Sequence, residues 1–401
     1  MRRAFLMGVV MLATLLAGAA VAQKKYDLGA SDTEIKIGQT MPYSGPASAY
    51  GTIGKSILAY FQMVNDRGGI NGRKIKIISE DDGYSPPKTV EHTRKLIEQD
   101  EVLFIFQSLG TPTNTAIQKY LNNKKVPHLF VATGATKWGD PQHFPWTMGW
   151  QPSYKTESVM YAQYLLKNKP AAKVAVLYQN DDYGKDYLHW FKDALGAQAA
   201  KMIVAEVSYE VTDPTVDSQI IKLKDSRADV FFNISTPKFA AQAIRKSYDI
   251  GWRPLHLLNS VSSSVGAVLK PAGFDKAIGI ISAIFVRDSM DPQVQRSKEY
   301  ADWLAFMKKY MPNADVADTL NVYAYSAAQT LEIVLRNCGD DLTRANVMKQ
   351  AANLRGIQLP MLQPGITLDT GPNDFFPIEK MYLSRFNGKA WSLLTDLKFQ
   401  Q

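Results

Sequence analysis

The stretch EIKIGQTMPYSGPASAYG, Glu34–Gly51, decides the fold. Ile35 and Ile37 alternate with polar neighbours, the period of a strand with one buried face. Pro42 breaks it, and Tyr43-Ser44-Gly45-Pro46 is turn chemistry. From Gly51 to Arg67 the residues Ile53, Ile57, Tyr60, Phe61 and Val64 recur at helical spacing. Strand, Ser/Gly loop and helix form the unit with which an open α/β sheet presents a ligand site at the carboxyl end of a strand. This loop is expected to form one lip of a cleft.

The unit recurs outward from there. Lys74–Glu80 reads as a strand, 81–87 as a loop and Lys88–Asp100 as a helix. Val102–Phe106, the loop 107–112 and Thr113–Asn123 repeat it, as do His128–Val131 and the loop 132–138. Near Trp150-Gln151-Pro152 the pattern restarts with a helix over Ser153–Asn168, for which Ser153 is the expected N-cap. Strands follow at Lys173–Tyr178, Lys201–Tyr209, Asp229–Ile234, Leu255–Leu258 and Ala277–Phe285. Helices are expected over Gln293–Tyr310, Leu320–Asn337 and Thr343–Ala352. Ile366–Leu368 and Lys380–Phe386, with an Asn387-Gly388 turn, read as a terminal antiparallel pair. Alternating strands and helices predict an α/β fold with parallel sheets and right-handed crossovers. A chain of 401 residues exceeds one ordinary core. No Pro/Gly/Ser linker separates its halves, so two lobes joined by short crossovers, with a cleft between them, are predicted.

Residues 1–22 stand apart. Arg2 and Arg3 precede an apolar run, Ala4–Leu16, and Ala20-Val21-Ala22 is an A-x-A cleavage site, the pattern of a secretory signal peptide. Export to the periplasm is expected, with no membrane span thereafter. The formal charge is +8, or +6 once the two leader arginines are removed (8 − 2), and the basic residues are scattered rather than clustered. Nucleic acid is therefore not an expected partner. The single cysteine, Cys338, allows no intramolecular disulfide and reads as a buried structural thiol.

Catalytic signatures such as GxSxG, HExxH, a P-loop or GxGxxG are missing, and His92, His128, His143, His189 and His256 lack metal-ligand spacing. An enzyme is not expected, nor a metal or cofactor. The pairs Asp81-Asp82 and Asp181-Asp182 read as loop carboxylates or helix N-terminal charges. The strand-end loops carry the binding chemistry. Ser108, Leu109, Gly110 and Thr111 precede one helix, and Thr133, Gly134 and Thr136 occupy the matching loop. Amides at a helix start with hydroxyls nearby suit a carboxylate, although ordinary turn and capping chemistry accounts for many such loops. Tyr43, Tyr50, Tyr84, Trp138, Tyr183 and Tyr323 lie at or near these loops and could stack on a ligand or pack beneath it.

MPYSGPASAYG, NDRGGINGRKIKIISEDDGYSPPKTV, the loop before Thr113, ATGAT and YQNDDYGKD together resemble the periplasmic branched-chain amino acid binding proteins of ABC transporters. The resemblance runs along nearly the whole mature chain. It implies a type I periplasmic binding fold: two Rossmann-like lobes joined by three crossovers, closing on a ligand and docking on a membrane permease. It also implies lobes at 31–152 with 286–360 and at 153–285 with 361–401, and a monomer. Carried over by motif, Tyr50 is the first-loop aromatic, Ser108–Thr111 with Gly134 and Thr136 the carboxylate cradle, and Tyr183 the second lobe's aromatic. Ser235 and Ser260 fall near the remaining polar contacts. Amino-acid binders of the family place an acidic residue where this chain reads Asn259-Ser260-Val261-Ser262, and a desolvated ammonium needs such a partner. The expectation is an aromatic or other organic carboxylate. Branched-chain amino acids or amides are the alternative, with Asp182 as substitute partner, and a ligand-sensing receptor component is a further one.

Overall fold

The structure is a computed structural model that describes residues 24–394; the expected signal peptide lies outside the described residues. Two sheets organise it. The first contains β1 (Glu34–Met41), β2 (Lys74–Asp81), β3 (Phe104–Phe106), β4 (His128–Val131) and β5 (Thr147–Gly149) in the order β2-β1-β3-β4-β5. The second contains β6 (Val174–Gln179), β7 (Ile203–Tyr209), β8 (Val230–Ile234), β9 (Leu255–Leu258), β10 (Ile281–Ile284), β11 (Tyr382–Phe386) and β12 (Trp391–Leu393), in the order β12-β11-β10-β9-β8-β6-β7. All pairings in the first sheet are parallel, and in the second only the two pairings of β11, with β10 and with β12, are antiparallel.

Register carries the loops to one edge. β1 pairs with β2 from Glu34↔Lys74 to Met41↔Asp81, so both strands end at the same level. Ile37↔Phe104 and Ile105↔His128 extend the alignment to β3 and β4. The loops after these strands therefore cluster along one edge of the sheet. On the side of β1, the helix Gly51–Asp66 buries the predicted face, Ile53, Ile57, Tyr60, Phe61 and Val64. It packs on the helix Leu320–Cys338, which is buried along most of its length. Cys338 ends that helix, buried in the core with its thiol pushed up to about 12 by burial, an inert structural group.

Among the described residues, three chain segments link the lobes. The first runs through Trp150, whose fully buried ring meets Tyr323 edge-on at 4.8 Å and Phe285 at 6.1 Å. Its Nε1 donates to Thr330 Oγ1 at 2.9 Å. The second and third run side by side. Arg287 N donates to Met361 O at 2.9 Å, and Gln363 N to Phe285 O at 2.8 Å.

Two features differ from expectation. β11 pairs with β12 across the Asn387-Gly388 turn, and Ile366–Leu368 is not its partner; Leu368 instead bridges Ile357. The β11–β12 pair wins because Phe386 and Trp391 close the apolar cluster beneath that turn. The third crossing is also extended: Phe376 packs against Gly139 and Gly149 of the first lobe, although it follows residue 361.

Trp150→Ala empties the space where two crossings meet. It should lower stability by about 3–5 kcal/mol, read in a denaturant titration followed by far-UV circular dichroism, whereas Trp150→Phe should cost much less.

Candidate functional site

A cleft of about 740 Å³, partly open to solvent, lies between the strand-end loops of the two sheets. The first lobe contributes Tyr50, Tyr84, Leu109, Gly110 and Thr111, and the second Tyr183, Thr236 and Ser260 with Val261. Gln151, Phe285 and Val286 of the crossings form its floor, with Tyr323 and Tyr154 at their sides. No charged side chain is among the described residues that line it.

Local structure sets each element. Gly110 has φ +100°, and a Cβ there would lie 2.5 Å from Tyr84 Cε2, so only glycine lets that ring sit against the loop. Tyr84 itself has φ +62°, an uncommon conformation for a bulky residue. The Asp82 carboxylate holds it by accepting from Tyr84 N at 2.9 Å and Thr89 Oγ1 at 2.8 Å. Asp81 accepts from the amides of Tyr43, Ser44 and Gly83. Asp181 caps the helix Asp182–Leu195 through Tyr183 N and Gly184 N. The acidic pairs thus organise loops, as expected of helix-start and turn carboxylates.

Eight predicted residues meet at the cleft: Tyr50, Tyr84, Leu109, Gly110, Thr111, Tyr183, Ser260 and Tyr323. The others do not line it. Tyr43 packs over Gly54 and shares a hydrogen bond with Ser79 Oγ at 2.6 Å. Ser108 is buried and accepts from Thr40 N, tying β1 to the next loop. Thr133 lies behind Thr111, with Oγ1 atoms 2.6 Å apart, and takes a bond from Trp138 Nε1 at 3.4 Å; Trp138 is fully buried. Gly134 uses its carbonyl to accept from Tyr154 N. Ser235 is buried and donates to Asn233 Oδ1. Thr136 joins the lobes: its amide and hydroxyl meet the Asp186 carboxylate at 2.9 Å, and Trp190 Nε1 donates to its oxygen at 2.7 Å. Asp182, the alternative ammonium partner, is half exposed outside the cleft and pairs with Lys137 at 2.6 Å.

Sequence reasoning missed Gln151, Tyr154 and Thr236 on the wall and, above all, Glu157 behind it. Glu157 is 1% exposed on the helix Tyr154–Asn168. Its carboxylate accepts from Tyr161 OH at 2.8 Å, Tyr187 OH at 2.7 Å, Ser260 N at 2.6 Å and Ser260 Oγ at 2.6 Å. Burial raises its pKa to about 6 against these donors, and no cation pairs with it in the described structure. Sequence offered little signal, because Glu157 in a helix's first turn reads as a favourable dipole partner. Tyr84 and Tyr183, both buried, have pKa values raised well above the ordinary one, so they remain neutral hydroxyls.

Residues 34–390 match the periplasmic binding protein family, and the chain belongs to it. It is 25% identical over 349 residues to Leu/Ile/Val-binding protein homolog 1 of Brucella suis biovar 1, spanning 84% of this chain and 88% of that one. Among solved structures it is similar to a branched chain amino acid ABC transporter from Thermus thermophilus with bound valine, with TM-score 0.81 and 15% identity over 91% of this chain and 96% of that one. A fatty acid ABC transporter substrate-binding protein from Thermomonospora curvata gives TM-score 0.76 and 21% identity, covering 92% and 94%. A Rhodopseudomonas palustris solute binding protein in complex with 3,4-dihydroxy benzoic acid gives 0.73 and 20%, covering 90% and 96%. The fold is that of type I periplasmic binding proteins, and the chain is a binding protein of that family, not an enzyme. No helix among the described residues is long and apolar enough to cross a membrane.

The raised pKa of Glu157 has a sign. Its proton is held more tightly folded than at the ordinary value of 4.5, so its contribution to stability is fully present below 4.5 and lost as pH rises through about 6. The span corresponds to about 2 kcal/mol. Thermal unfolding of Glu157→Gln between pH 4.5 and 7.5 should show a flatter profile than wild type; an identical slope would remove Glu157 as the source.

Proposed function

We propose that this protein is the solute-binding component of an ABC importer that takes an aromatic or other organic carboxylate between its lobes. The observation that carries the reading is the cleft wall: tyrosines 50, 84, 154, 183 and 323 around a cavity with no charged side chain in its lining. An α-ammonium desolvated there would lack a direct anionic partner. A carboxylate has hydrogen-bond donors at hand in the Thr111 and Thr113 amides that open the helix Thr111–Asn123, with the dipole term adding up to roughly 2 kcal/mol when partly buried. The dihydroxybenzoate complex of a structural neighbour is in keeping with this chemistry.

Branched-chain amino acids are the second reading, favoured by the relatives' names and by the Glu157 carboxylate one residue behind the wall. In either case the lobes, 31–152 with 286–360 and 153–285 with 361–401 apart from the stretch around Phe376 that lies on the first lobe, bend about the crossings. Ligand shifts the population to the closed form, and that form docks on the permease as a monomer in the periplasm after removal of the leader.

A thermal-shift comparison tests the ligand class. Benzoate or 4-coumarate at a hundredfold excess over Kd should stabilise the mature chain by about 2.7 kcal/mol, and leucine or valine should not. Stabilisation by leucine alone would overturn the aromatic reading. Tyr183→Ala should weaken binding of the stabilising acid at least tenfold while leaving the far-UV circular dichroism unchanged.

A further inference from the structure

Ser260 faces the cleft with its hydroxyl proton already committed. Glu157 is acceptor-only when ionised, so the 2.6 Å contact between Ser260 Oγ and Glu157 Oε2 has the serine as donor. The same holds for most other hydroxyls of that wall, whereas Tyr154 OH, 3.2 Å from Thr133 Oγ1, can donate or accept there. Ser263 Oγ donates to Ser260 O at 2.8 Å, and Ser264 Oγ to Asp318 Oδ1 at 2.8 Å. Thr236 Oγ1 donates to Gln179 Oε1 at 3.3 Å. Asn259 turns its amide so that Nδ2 donates to the Asn233 and Ser235 carbonyls and Oδ1 accepts from Tyr183 OH. Carbonyl, carboxylate and amide oxygens cannot donate, so each of these hydroxyls has only lone pairs left for the cleft. The opposite wall differs: the start of the helix Thr111–Asn123 offers amide donors.

We infer that Glu157 is a specificity-positioning residue: by taking the Ser260 proton it makes the second lobe's wall an acceptor surface that selects ligands ending in a hydrogen-bond donor. Such a ligand has a carboxylate at the first-lobe end and a phenolic hydroxyl or an ammonium at the other. Both sources share the donor chemistry. An end group that only accepts would meet lone pairs, and one with no polar atom would leave desolvated acceptors unpaired, which a buried site tolerates poorly. The inference rests on the reading of this cleft as the ligand site, not on the ligand being aromatic.

Glu157→Gln reverses the device. A carboxamide nitrogen can donate to Ser260 Oγ, which frees the serine proton to point into the cleft. Ser260→Ala removes the acceptor and leaves the rest of the wall in place, and it carries the test should Glu157→Gln fail to fold.

Isothermal titration of the mature chain at pH 7.5 with two matched pairs decides the matter: 4-hydroxybenzoate against benzoate, and leucine against 4-methylpentanoate. In the pair that binds, wild type should prefer the donor-bearing member at least tenfold. That ratio should fall toward one in Glu157→Gln and in Ser260→Ala, with the non-donor member gaining in Glu157→Gln. A purely structural role would weaken both members alike and leave the ratio unchanged, and that result would overturn the inference. Equal affinities in wild type, or no binding of any of the four, would do so as well. Donor preference in the leucine pair alone would sink the aromatic reading while supporting the acceptor wall. Binding of both benzoates with equal affinity would do the reverse.

Discussion

Two sheets can share one cleft only if the chain passes between them without filling the space, and the hydrogen-bonded crossings meet that constraint. Arg287, Met361, Phe285 and Gln363 pair backbone to backbone, so two of the links behave as a short ribbon instead of two loose strands. Gln363 Nε2 and Arg287 Nε add bonds to the carbonyls of Val286 and Leu362. A ribbon resists shear and stretching yet can twist through small changes in several torsions, which is the way hinges absorb a rotation. Trp150 seats the first link against the second by ring contacts with Phe285. The floor of the cleft is therefore built from the crossings themselves, since Gln151, Phe285 and Val286 belong to both.

The acidic residues near the cleft do a job that has little to do with ligand charge. Asp81, Asp82 and Asp181 each collect amide donors from turns, replacing the secondary-structure bonds that loops lack. Glu157 does the same across a longer distance, joining a helix start to the Ser260 turn and to the tyrosines Tyr161 and Tyr187. Burying an unpaired carboxylate is costly, and the Ser260 amide, the Ser260 and Tyr187 hydroxyls and a Tyr161 hydroxyl shared with the Leu258 carbonyl make it tolerable. The raised pKa shows that the offset is incomplete. A charge retained there at such cost fixes the orientation of every hydroxyl that donates to it, which an apolar replacement could not do.

Much of the architecture was legible because it is local. The face Ile53, Ile57, Tyr60, Phe61, Val64 and the Ser153 cap are read from spacing and residue type alone, and both are found. β5 was not anticipated, being three residues long, too short for a period to register. The site divides along the same line. Loops at parallel strand ends must converge, so Tyr50, Gly110, Thr111 and Tyr183 could be named from their place in the chain, whereas Ser260 came from the family resemblance. Which of two neighbours in a loop faces inward depends on dihedrals and packing partners. Thr133 stands behind Thr111, and Tyr43 turns to Ser79, for reasons that no local pattern carries. Glu157 is the extreme case: its partners lie at positions 161, 187 and 260, and only the fold brings them together.

The clasp between the lobes bears on how binding energy is used. Thr136 with Asp186, Lys137 with Asp182 and Tyr50 OH with Val261 O at 3.1 Å all join opposite sides of the cleft. The Lys137–Asp182 pair is substantially exposed, and such pairs contribute about 0–1 kcal/mol. Thr136–Asp186 is better shielded, but burial raises the Asp186 pKa, so part of its gain is spent on desolvation. The direct contacts thus hold the lobes together only weakly. On the proposed reading, a ligand held between Tyr84 and Thr111 on one side and Tyr183 and Ser260 on the other would make its full set of contacts only with the lobes closed. That differential, and not the clasp, is what can move the equilibrium, because a ligand shifts two states only by the difference in its affinity for them. Weak latches would suit the proposed closure: they define how the lobes meet and would leave the balance to the bound molecule.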